Sequence, residues 1–301
     1  VVAGGITYPT YEPNRFQTFC YSDPVQRAKA KQIAELTARH FDEIILDDFF
    51  FTSCKCDLCV KARGSRSWQD YRLQLMTEAA RDLIVGPAKA VNPRVRVIIK
   101  YPNWYDHFQS LGFNQKDEPK IFDGIHTGTE TRDADLSPQH LQAYQSYSII
   151  RYFENIAPGR NGGGWVDTYG CQYLDRYAEQ LWLTVFAKAR ETTLFDFRLI
   201  DEPLKKETRG PWQGHGTSFN FDAAFAPFTL PGAKNTTPAT YAQAAAVSFD
   251  AADRVVGKLG KPIGLKSYKP YYSAGEAFLQ NYLGMAGLPI EMVPEFPADE
   301  P

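Results

Sequence analysis

Residues 24–50, PVQRAKAKQIAELTARHFDEIILDDFF, decide the fold. The first part predicts a helix over residues 24–40, because apolar residues recur at helical spacing and Asp23 suits the N-cap position before a first-turn proline. The second part, EIILDDFF at residues 43–50, is a short apolar run of strand length. Residues 1–8 predict an earlier buried strand, so the order is strand, helix, strand, which is typical of a βαβ unit.

The same alternation continues along the chain. Helices are predicted over residues 68–90, 138–153 and 173–190, and strands over 95–102, 122–130, 162–170 and 192–200. The run Gly162–Gly164 opens one of these strands, and we interpret it as a turn. An open doubly wound sheet is the alternative, but the early strands lack a glycine-rich phosphate motif. The pattern therefore predicts an α/β fold, a TIM (β/α)8-type barrel with its site at the carboxyl ends of the strands.

Two later segments break the rhythm. Residues 201–240 are rich in Pro, Gly and Thr without periodicity, which favours a functional lid or a partner contact. After a helix predicted over residues 241–259, a new strand, a helix over 275–283 and the strand-like PIEMVPEF follow. We therefore predict a barrel domain over residues 1–259 and the start of a second α/β domain over residues 260–301.

Composition excludes several classes of protein. The chain has 301 residues, with 33 Lys and Arg against 35 Asp and Glu, so a nucleic-acid or membrane partner is not expected. No apolar run reaches the roughly 20 residues of a membrane helix, and no segment resembles a signal peptide. The 5 Trp, 17 Tyr and 20 Phe are numerous enough to suggest either a large core or a surface on which sugars stack.

Four of the five cysteines predict a zinc site. Cys54, Cys56 and Cys59 form a C-x-C-x2-C run just after the strand at residues 43–50, and thiolates so close together can converge on one tetrahedral ion. Cys20, in the loop after the preceding predicted strand, is the candidate fourth ligand. A site closed by four cysteines has no open position, so the expected cofactor is structural Zn and none is catalytic. Cys171 is expected to be an ordinary buried cysteine.

These segments resemble glycoside hydrolase family 42, the zinc-containing β-galactosidases. The resemblance covers residues 15–71 and is carried by FCYSDPVQRAKAKQIAELTARHF, EIILDDFF and CKCDLC, the third and fourth βα units of that family. Residues 261–297 resemble the opening of the glutamine-amidotransferase-like trimerisation domain that follows the barrel there. The resemblance implies a homo-oligomer, with a trimer as the first expectation. It also makes residues 1–8 the third barrel strand, so two strands are expected before Val1 and more of the second domain after Pro301.

Glycoside hydrolysis needs two carboxyl groups, and four candidates lie at predicted strand ends: Asp47, Asp48, Glu130 and Asp167. By the resemblance, Asp48 falls on the family's acid/base position and Asp47 on the residue that contacts the sugar 2-hydroxyl, where the family has Glu and Asn. The family's nucleophile is a Glu after the seventh strand, where this chain offers Asp167. The α-galactosidase clan has another plan, which would pair Asp47 or Asp48 as nucleophile with Glu130 as acid. The sequence leaves both plans open.

Side chains suited to binding a sugar surround these acids, and we predict as substrate-binding Lys100, Tyr101, Trp104, His126, Arg132, Trp165 and Tyr169. The prediction is a glycoside hydrolase that acts on a β-galactoside or a related oligosaccharide. A non-catalytic carbohydrate-binding or assembly protein that keeps the barrel is the rival, because both fourth-strand residues depart from the family. Thiolate ligands favour a reducing compartment, although both a cytoplasmic and a periplasmic location stay open.

Overall fold

The structure is a computed structural model. It describes residues 2–3, 6–7, 19–47, 50–103, 108–131, 142–168, 171, 174–202, 240–273 and 277–295. Its strands are β1 Val2–Ala3, β2 Ile6–Thr7, β3 Glu43–Leu46, β4 Arg96–Tyr101, β5 Gly124–Gly128, β6 Asn161–Asp167, β7 Glu191–Phe195, β8 Leu265–Tyr268 and β9 Ile290–Val293.

The helices alternate with these strands as the sequence pattern predicts. They are α1 Pro24–His40, α2 Asp57–Arg63, α3 Trp68–Ala79, α4 Gly86–Val91, α5 Phe108–Leu111, α6 Glu118–Ile121, α7 Gln145–Ile156, α8 Leu174–Phe186, α9 Phe197–Ile200, α10 Tyr241–Val256 and α11 Phe278–Met285, with a π-helical segment Ala80–Val85 between α3 and α4. Asp23 caps α1 as expected, since its side chain accepts a hydrogen bond from the backbone N–H of Val25. Within the described ranges, no helix is long and apolar enough to cross a membrane.

Strands β3 to β7 form one parallel sheet in sequence order. Consecutive parallel strands joined by helices are the repeating unit of a (β/α) barrel, and this curled sheet is about half of one. The predicted α/β barrel-type fold is thereby confirmed.

Alternation along β4 separates the two faces of this sheet. Val97, Ile99 and Tyr101 pack into the main core, which also holds Tyr152 and Phe153 of α7. The alternate residues of β4, which include Lys100, point to the face of the sheet that is turned away from this core. From residue 97 to its end, β4 is buried on both faces. Polar side chains on the face away from the helices therefore lie in the concave interior of the half-barrel.

Three local predictions are wrong. Of the strand predicted over residues 1–8, the described parts Val2–Ala3 and Ile6–Thr7 do not join the barrel sheet, because β1 pairs antiparallel with β2. Gly162–Gly164 is not a turn but part of β6. The strand predicted over residues 192–200 ends at Phe195, because the Asp196 side chain accepts a hydrogen bond from the Arg198 N–H and starts a helical turn.

The C-terminal residues build a separate parallel pair. β8 and β9 pair only with each other within the described chain, and α11 lies between them in sequence, so this βαβ unit does not extend the barrel sheet. It packs on α7 through a buried ion pair, in which the Arg151 guanidinium donates to both carboxylate oxygens of Glu291 at 2.6 to 3.1 Å. The assignment of residues 260–301 to a second, amidotransferase-like domain stays a prediction.

Candidate active site

A row of polar residues crosses the concave face of the sheet. Asp47 follows Leu46, the last residue of β3, and is therefore level with Lys100 on β4. Lys100 pairs in register with His126 on β5. His126 pairs with Gly163 on β6, and Gly163 in turn pairs with Glu191 on β7. Parallel pairing thus places side chains from four separate segments in one register row, which runs from the carboxyl end of β3 to the amino end of β7.

Lys100 is the centre of the charged part of the site. Its side chain is 3% exposed, and its ammonium lies 3.1 Å from Asp47 Oδ1 and 3.8 Å from Glu130 Oε1. The ammonium also lies 4.2 Å from the centroid of the Trp165 ring, close enough for a cation–π contact. A buried ammonium needs a counter-charge, which the nearer carboxylate of Asp47 supplies. The structure therefore brings together four of the predicted site residues: Asp47, Lys100, Glu130 and Trp165.

The position of Glu130 depends on a glycine. A Cβ added to Gly128 would lie 2.7 Å from Glu130 Oε2 and 3.0 Å from the backbone nitrogen of Asn103. Only a residue without a side chain allows both groups to approach the end of β5 this closely. The Asn103 side chain then donates a hydrogen bond to the Glu130 carbonyl, and Ser146 on α7 donates to the neighbouring Thr129 carbonyl at 2.6 Å. The backbone that carries Glu130 is thus held from two sides.

His126 reaches its partner across a second glycine. His126 Nε2 lies 2.9 Å from Glu191 Oε1, and a Cβ on the intervening Gly163 would come within 2.8 Å of Glu191 Cγ and 3.1 Å of His126 Cε1. Because a carboxylate only accepts hydrogen bonds, this contact assigns the hydrogen to Nε2 and leaves Nδ1 as an acceptor. Nδ1 is buried and has no hydrogen-bond partner among the described residues.

An aromatic pair lies at the carboxyl end of the sheet. The Trp165 and Phe195 ring centroids are 5.2 Å apart with an interplanar angle of 33°. Phe195 is 46% exposed, so the pair presents an accessible apolar face beside the charged groups. Sequence reasoning missed Phe195, Glu191 and Asn103. Phe195 was within a predicted strand, whereas no motif marks the other two.

One predicted site residue lies elsewhere. Tyr101 is fully buried on the helix-facing side of β4, stacked on Phe153 at 4.5 Å, and its hydroxyl donates to Glu118. It belongs to the core and cannot line the concave face, because successive residues of a strand point to opposite sides. Asp48, Trp104, Arg132 and Tyr169 lie outside the described residues. Asp167 is the last residue of β6 and pairs in register with Phe195, but its side chain lies outside the described part.

The four cysteines of the predicted metal site converge. The sulfur atoms of Cys20, Cys54, Cys56 and Cys59 all lie within 4.8 Å of one another. Cys20 Sγ is 3.5 Å from Cys56 Sγ and 3.6 Å from Cys59 Sγ, and the last two are 3.7 Å apart. Four sulfurs at about 2.3 Å from a shared tetrahedral centre would be about 3.8 Å apart. The cluster therefore has the dimensions of a four-thiolate metal site. Its four thiols are free and are not cross-linked by disulfides.

The electrostatic environments of these thiols differ. A hydrogen bond from the Cys59 backbone N–H lowers the pKa of Cys56 to about 7, while burial raises the pKa of Cys54 to about 11. Burial also raises the pKa of Cys20. The cysteine cluster lies near the carboxyl end of β3. Thr52, which lies between Asp47 and Cys54 in the sequence, donates a hydrogen bond from its hydroxyl to the carbonyl of Phe19, the residue before Cys20.

Comparison with solved structures relates the fold to known barrels. A variant of a glycoside hydrolase of family 5, subfamily 18, from Streptomyces cattleya, solved in complex with Manβ1-4GlcNAc, matches 94% of this chain and 70% of its own length. The TM-score is 0.53 and the sequence identity is 13%, so the likeness concerns the fold alone.

Sequence comparison gives the family. An uncharacterized protein of Saccharolobus solfataricus is 30% identical over 239 residues, which cover 68% of this chain and 39% of that protein, so the chain spans about two-fifths of that relative's length. A family described as "Probable glycosyl hydrolase, catalytic domain" matches residues 1–258. The predicted relation to glycoside hydrolases is confirmed at the level of this family, whereas hydrolytic activity and membership of family 42 stay predictions. With most of its length matched, this chain belongs to the family of probable glycosyl hydrolase catalytic domains.

Proposed function

We propose that this chain cleaves a glycosidic bond with Glu130 and Asp47 as its pair of carboxyl groups. The observation that carries the proposal is the shared contact with Lys100, whose ammonium lies within 4 Å of both carboxylates. The two carboxylate oxygens nearest to it are therefore at most about 7 Å apart. Glycosidase carboxyls are about 5 to 5.5 Å apart in retaining enzymes and about 6.5 to 9.5 Å apart in inverting ones, so this upper limit admits the retaining separation.

The environments of the two groups suggest their roles. The Glu130 side chain is 5% exposed, next to the Trp165–Phe195 face on which a sugar ring can stack, and we assign it as the proton donor to the leaving oxygen. The Asp47 side chain is 51% exposed and accepts a hydrogen bond from Lys100, so it is the carboxylate that attacks the anomeric carbon or activates water. Asp48, the acid/base position by the family resemblance, is the alternative partner of Glu130.

Lys100 and His126 complete the proposed sugar site. The Lys100 ammonium can donate to a sugar hydroxyl, and His126 Nδ1 offers a buried acceptor on the same face. The substrate is expected to be a β-galactoside or a related glycan on the family resemblance. Because the Streptomyces cattleya enzyme was solved with a β-linked mannosyl disaccharide, β-mannosides are the second class to examine.

A panel of aryl β-galactosides, β-mannosides and β-glucosides tests this function. We expect the wild-type protein to hydrolyse at least one of them. On the phenyl glycoside, whose leaving group needs protonation, Glu130→Gln and Asp47→Asn should each lose about 10²-fold or more in kcat. Asp42→Asn and Glu43→Gln, at the opposite end of β3, are matched controls that should retain activity. Asp48→Asn decides between the two aspartates. A wild-type protein that binds a sugar but hydrolyses none of these substrates would instead support a carbohydrate-binding protein.

We also propose that Cys20, Cys54, Cys56 and Cys59 bind one structural zinc ion. The sulfur separations support this, because the three distances among Cys20, Cys56 and Cys59 are near the edge length of a zinc–thiolate tetrahedron. Metal analysis should find about one zinc per chain in the wild type and in Cys171→Ser, which alters a buried cysteine outside the cluster. Cys59→Ser should lose that zinc. Zinc-free wild-type protein of unchanged stability would refute the proposal.

A further inference from the structure

A chain of buried side-chain amides runs from the C-terminal βαβ unit to the backbone of Glu130. Its members are Asn281 on α11, Gln145 at the start of α7 and Asn103 just after β4, each no more than 3% exposed. Buried amides need hydrogen-bond partners. Here Asn281 bonds to the Gln145 side chain, Gln145 bonds to the main-chain carbonyl of Asn103, and the Asn103 side chain bonds to the main-chain carbonyl of Glu130.

The direction of each hydrogen bond is fixed by its neighbours. The main-chain carbonyl of Asn103 can only accept, so Gln145 Nε2 donates to it at 3.0 Å and Gln145 Oε1 faces Asn281. Asn281 Nδ2 then donates to Gln145 Oε1 at 2.6 Å, and Asn281 Oδ1 accepts from the Ser148 hydroxyl at 2.8 Å. Asn103 in turn donates from its side chain to the Glu130 carbonyl. Reversing any one amide would place two donors or two acceptors face to face.

Close packing fixes the helix that carries Asn281. A Cβ on Gly284 would lie 2.2 to 2.4 Å from ring atoms of Tyr144, so the glycine lets α11 seat directly on the residue before α7. The Tyr144 hydroxyl also accepts a hydrogen bond from the Ile290 N–H of β9 at 3.2 Å. The C-terminal unit is thereby anchored where α7 begins, next to Gln145.

We propose that Asn281 is a positioning residue for Glu130, acting through Gln145 and Asn103. The proposal rests on the proposed function of Glu130. Glu130 lies two residues beyond the end of β5, where no ladder of strand pairing fixes the backbone, so its placement beside Lys100 depends on bonds such as that from Asn103. A shift of about 1 Å in a reacting group can cost about 10²-fold in rate.

Asn281→Leu tests the inference, because leucine has nearly the shape of asparagine but no hydrogen-bonding groups. We expect kcat to fall about tenfold or more on the best aryl glycoside, with KM changed less than twofold, since only an interaction made in the transition state is weakened. Gln280→Leu is the matched control on the same helix. Gln280 is half-buried and bonds only to Ser267 among the described residues, so the kcat of this variant should be unchanged.

A double-mutant cycle separates positioning from general structural damage. In a Glu130→Gln background, measured on the same aryl glycoside as the wild-type background, Asn281→Leu should cause little further loss, because both changes act on the same group. A folded Asn281→Leu with wild-type kcat, or an equal loss in both backgrounds, overturns the proposal. If the leucine variant does not fold, Asn281→Ser, which cannot hold both Gln145 and Ser148, carries the same expectation.

Failure of the proposed function is a distinct result. Glu130→Gln would then retain wild-type activity, which removes the role of Glu130 and the positioning role of Asn281 with it. An inactive Glu130→Gln beside a fully active Asn281→Leu removes only the positioning role.

Discussion

Replacing Glu118 by glutamine is expected to change how the stability of the protein depends on pH. Glu118 begins α6, is fully buried and accepts a hydrogen bond from the Tyr101 hydroxyl at 3.1 Å, on the core side of the strand that carries Lys100. Burial raises the pKa of this carboxyl from its ordinary value of 4.5 to about 8. The group therefore holds its proton in the folded protein at pH values where it has lost it in the unfolded chain.

The sign and size of the effect follow from this difference. Between pH 4.5 and 8 the folded state binds more protons than the unfolded state, so the free energy of unfolding falls as the pH rises. Each pKa unit corresponds to 1.36 kcal/mol, so this one carboxyl should cost about 3 kcal/mol of stability as the pH rises from 5 to 8. Glutamine keeps the shape and an acceptor oxygen but cannot ionise.

Urea unfolding of the wild type and of Glu118→Gln, followed by near-ultraviolet circular dichroism from pH 5 to pH 8, measures this directly. The free energy of unfolding of the variant should exceed that of the wild type by an amount that grows by about 3 kcal/mol over this range. Tyr101→Phe removes a donor that lowers the pKa of Glu118 and should extend the loss of stability with rising pH to higher pH values. A difference between glutamine variant and wild type that stays constant with pH would refute the reasoning.

Three further changes test other parts of the structure. Lys100→Met removes the cation between Asp47 and Glu130, and it should abolish hydrolysis and lower the free energy of unfolding by about 3 kcal/mol, whereas a wild-type rate would contradict its central place. Gly163→Ala puts a Cβ against Glu191 and His126, and the free energy of unfolding in urea should fall by about 1 to 3 kcal/mol. In the control Gly257→Ala the new Cβ meets no atom within 4 Å, so the free energy of unfolding should hardly change. Arg151→Met leaves Glu291 buried without its cation and should lower the free energy of unfolding, measured in urea, by about 3 kcal/mol. The double variant Arg151→Met with Glu291→Gln should recover much of that stability, and additive losses from the two changes would contradict the role of the ion pair.

The sequence was most informative where the periodicity was simple. Apolar runs separated by helical segments predicted the five parallel strands that follow α1, because in a parallel sheet covered by helices each strand must be apolar on its own. The C-x-C-x2-C spacing and Cys20 predicted a cluster of thiols, and the sulfurs do converge.

Strand geometry explains the error over Tyr101. Lys100 and Tyr101 are adjacent on a strand that is buried on both faces, so only one of them can point into the concave interior. The lysine takes that side because two carboxylates lie there, and the tyrosine enters the core. This constraint was available from the sequence once both residues were assigned to one strand.

Other parts of the site depend on contacts that no local pattern encodes. Glu191 opens β7 and reaches His126 only because Gly163 lies between them in the sheet, and a glycine run reads as a turn until its neighbours are known. Asn281 reaches Glu130 through amides that are far apart in sequence. Buried amide pairs of this kind are set by tertiary packing, which a single sequence does not reveal.

The role proposed for Glu130 as the acid is tested most directly by measuring how the rate of hydrolysis depends on the leaving group of the substrate. A proton donor matters for a poor leaving group and little for dinitrophenolate, which departs without protonation. Glu130→Gln should therefore lose about 10²- to 10⁴-fold in kcat/KM on an alkyl glycoside and less than about tenfold on the matching dinitrophenyl glycoside. Equal losses on both substrates, or none on either, would contradict the assignment of Glu130 as the acid.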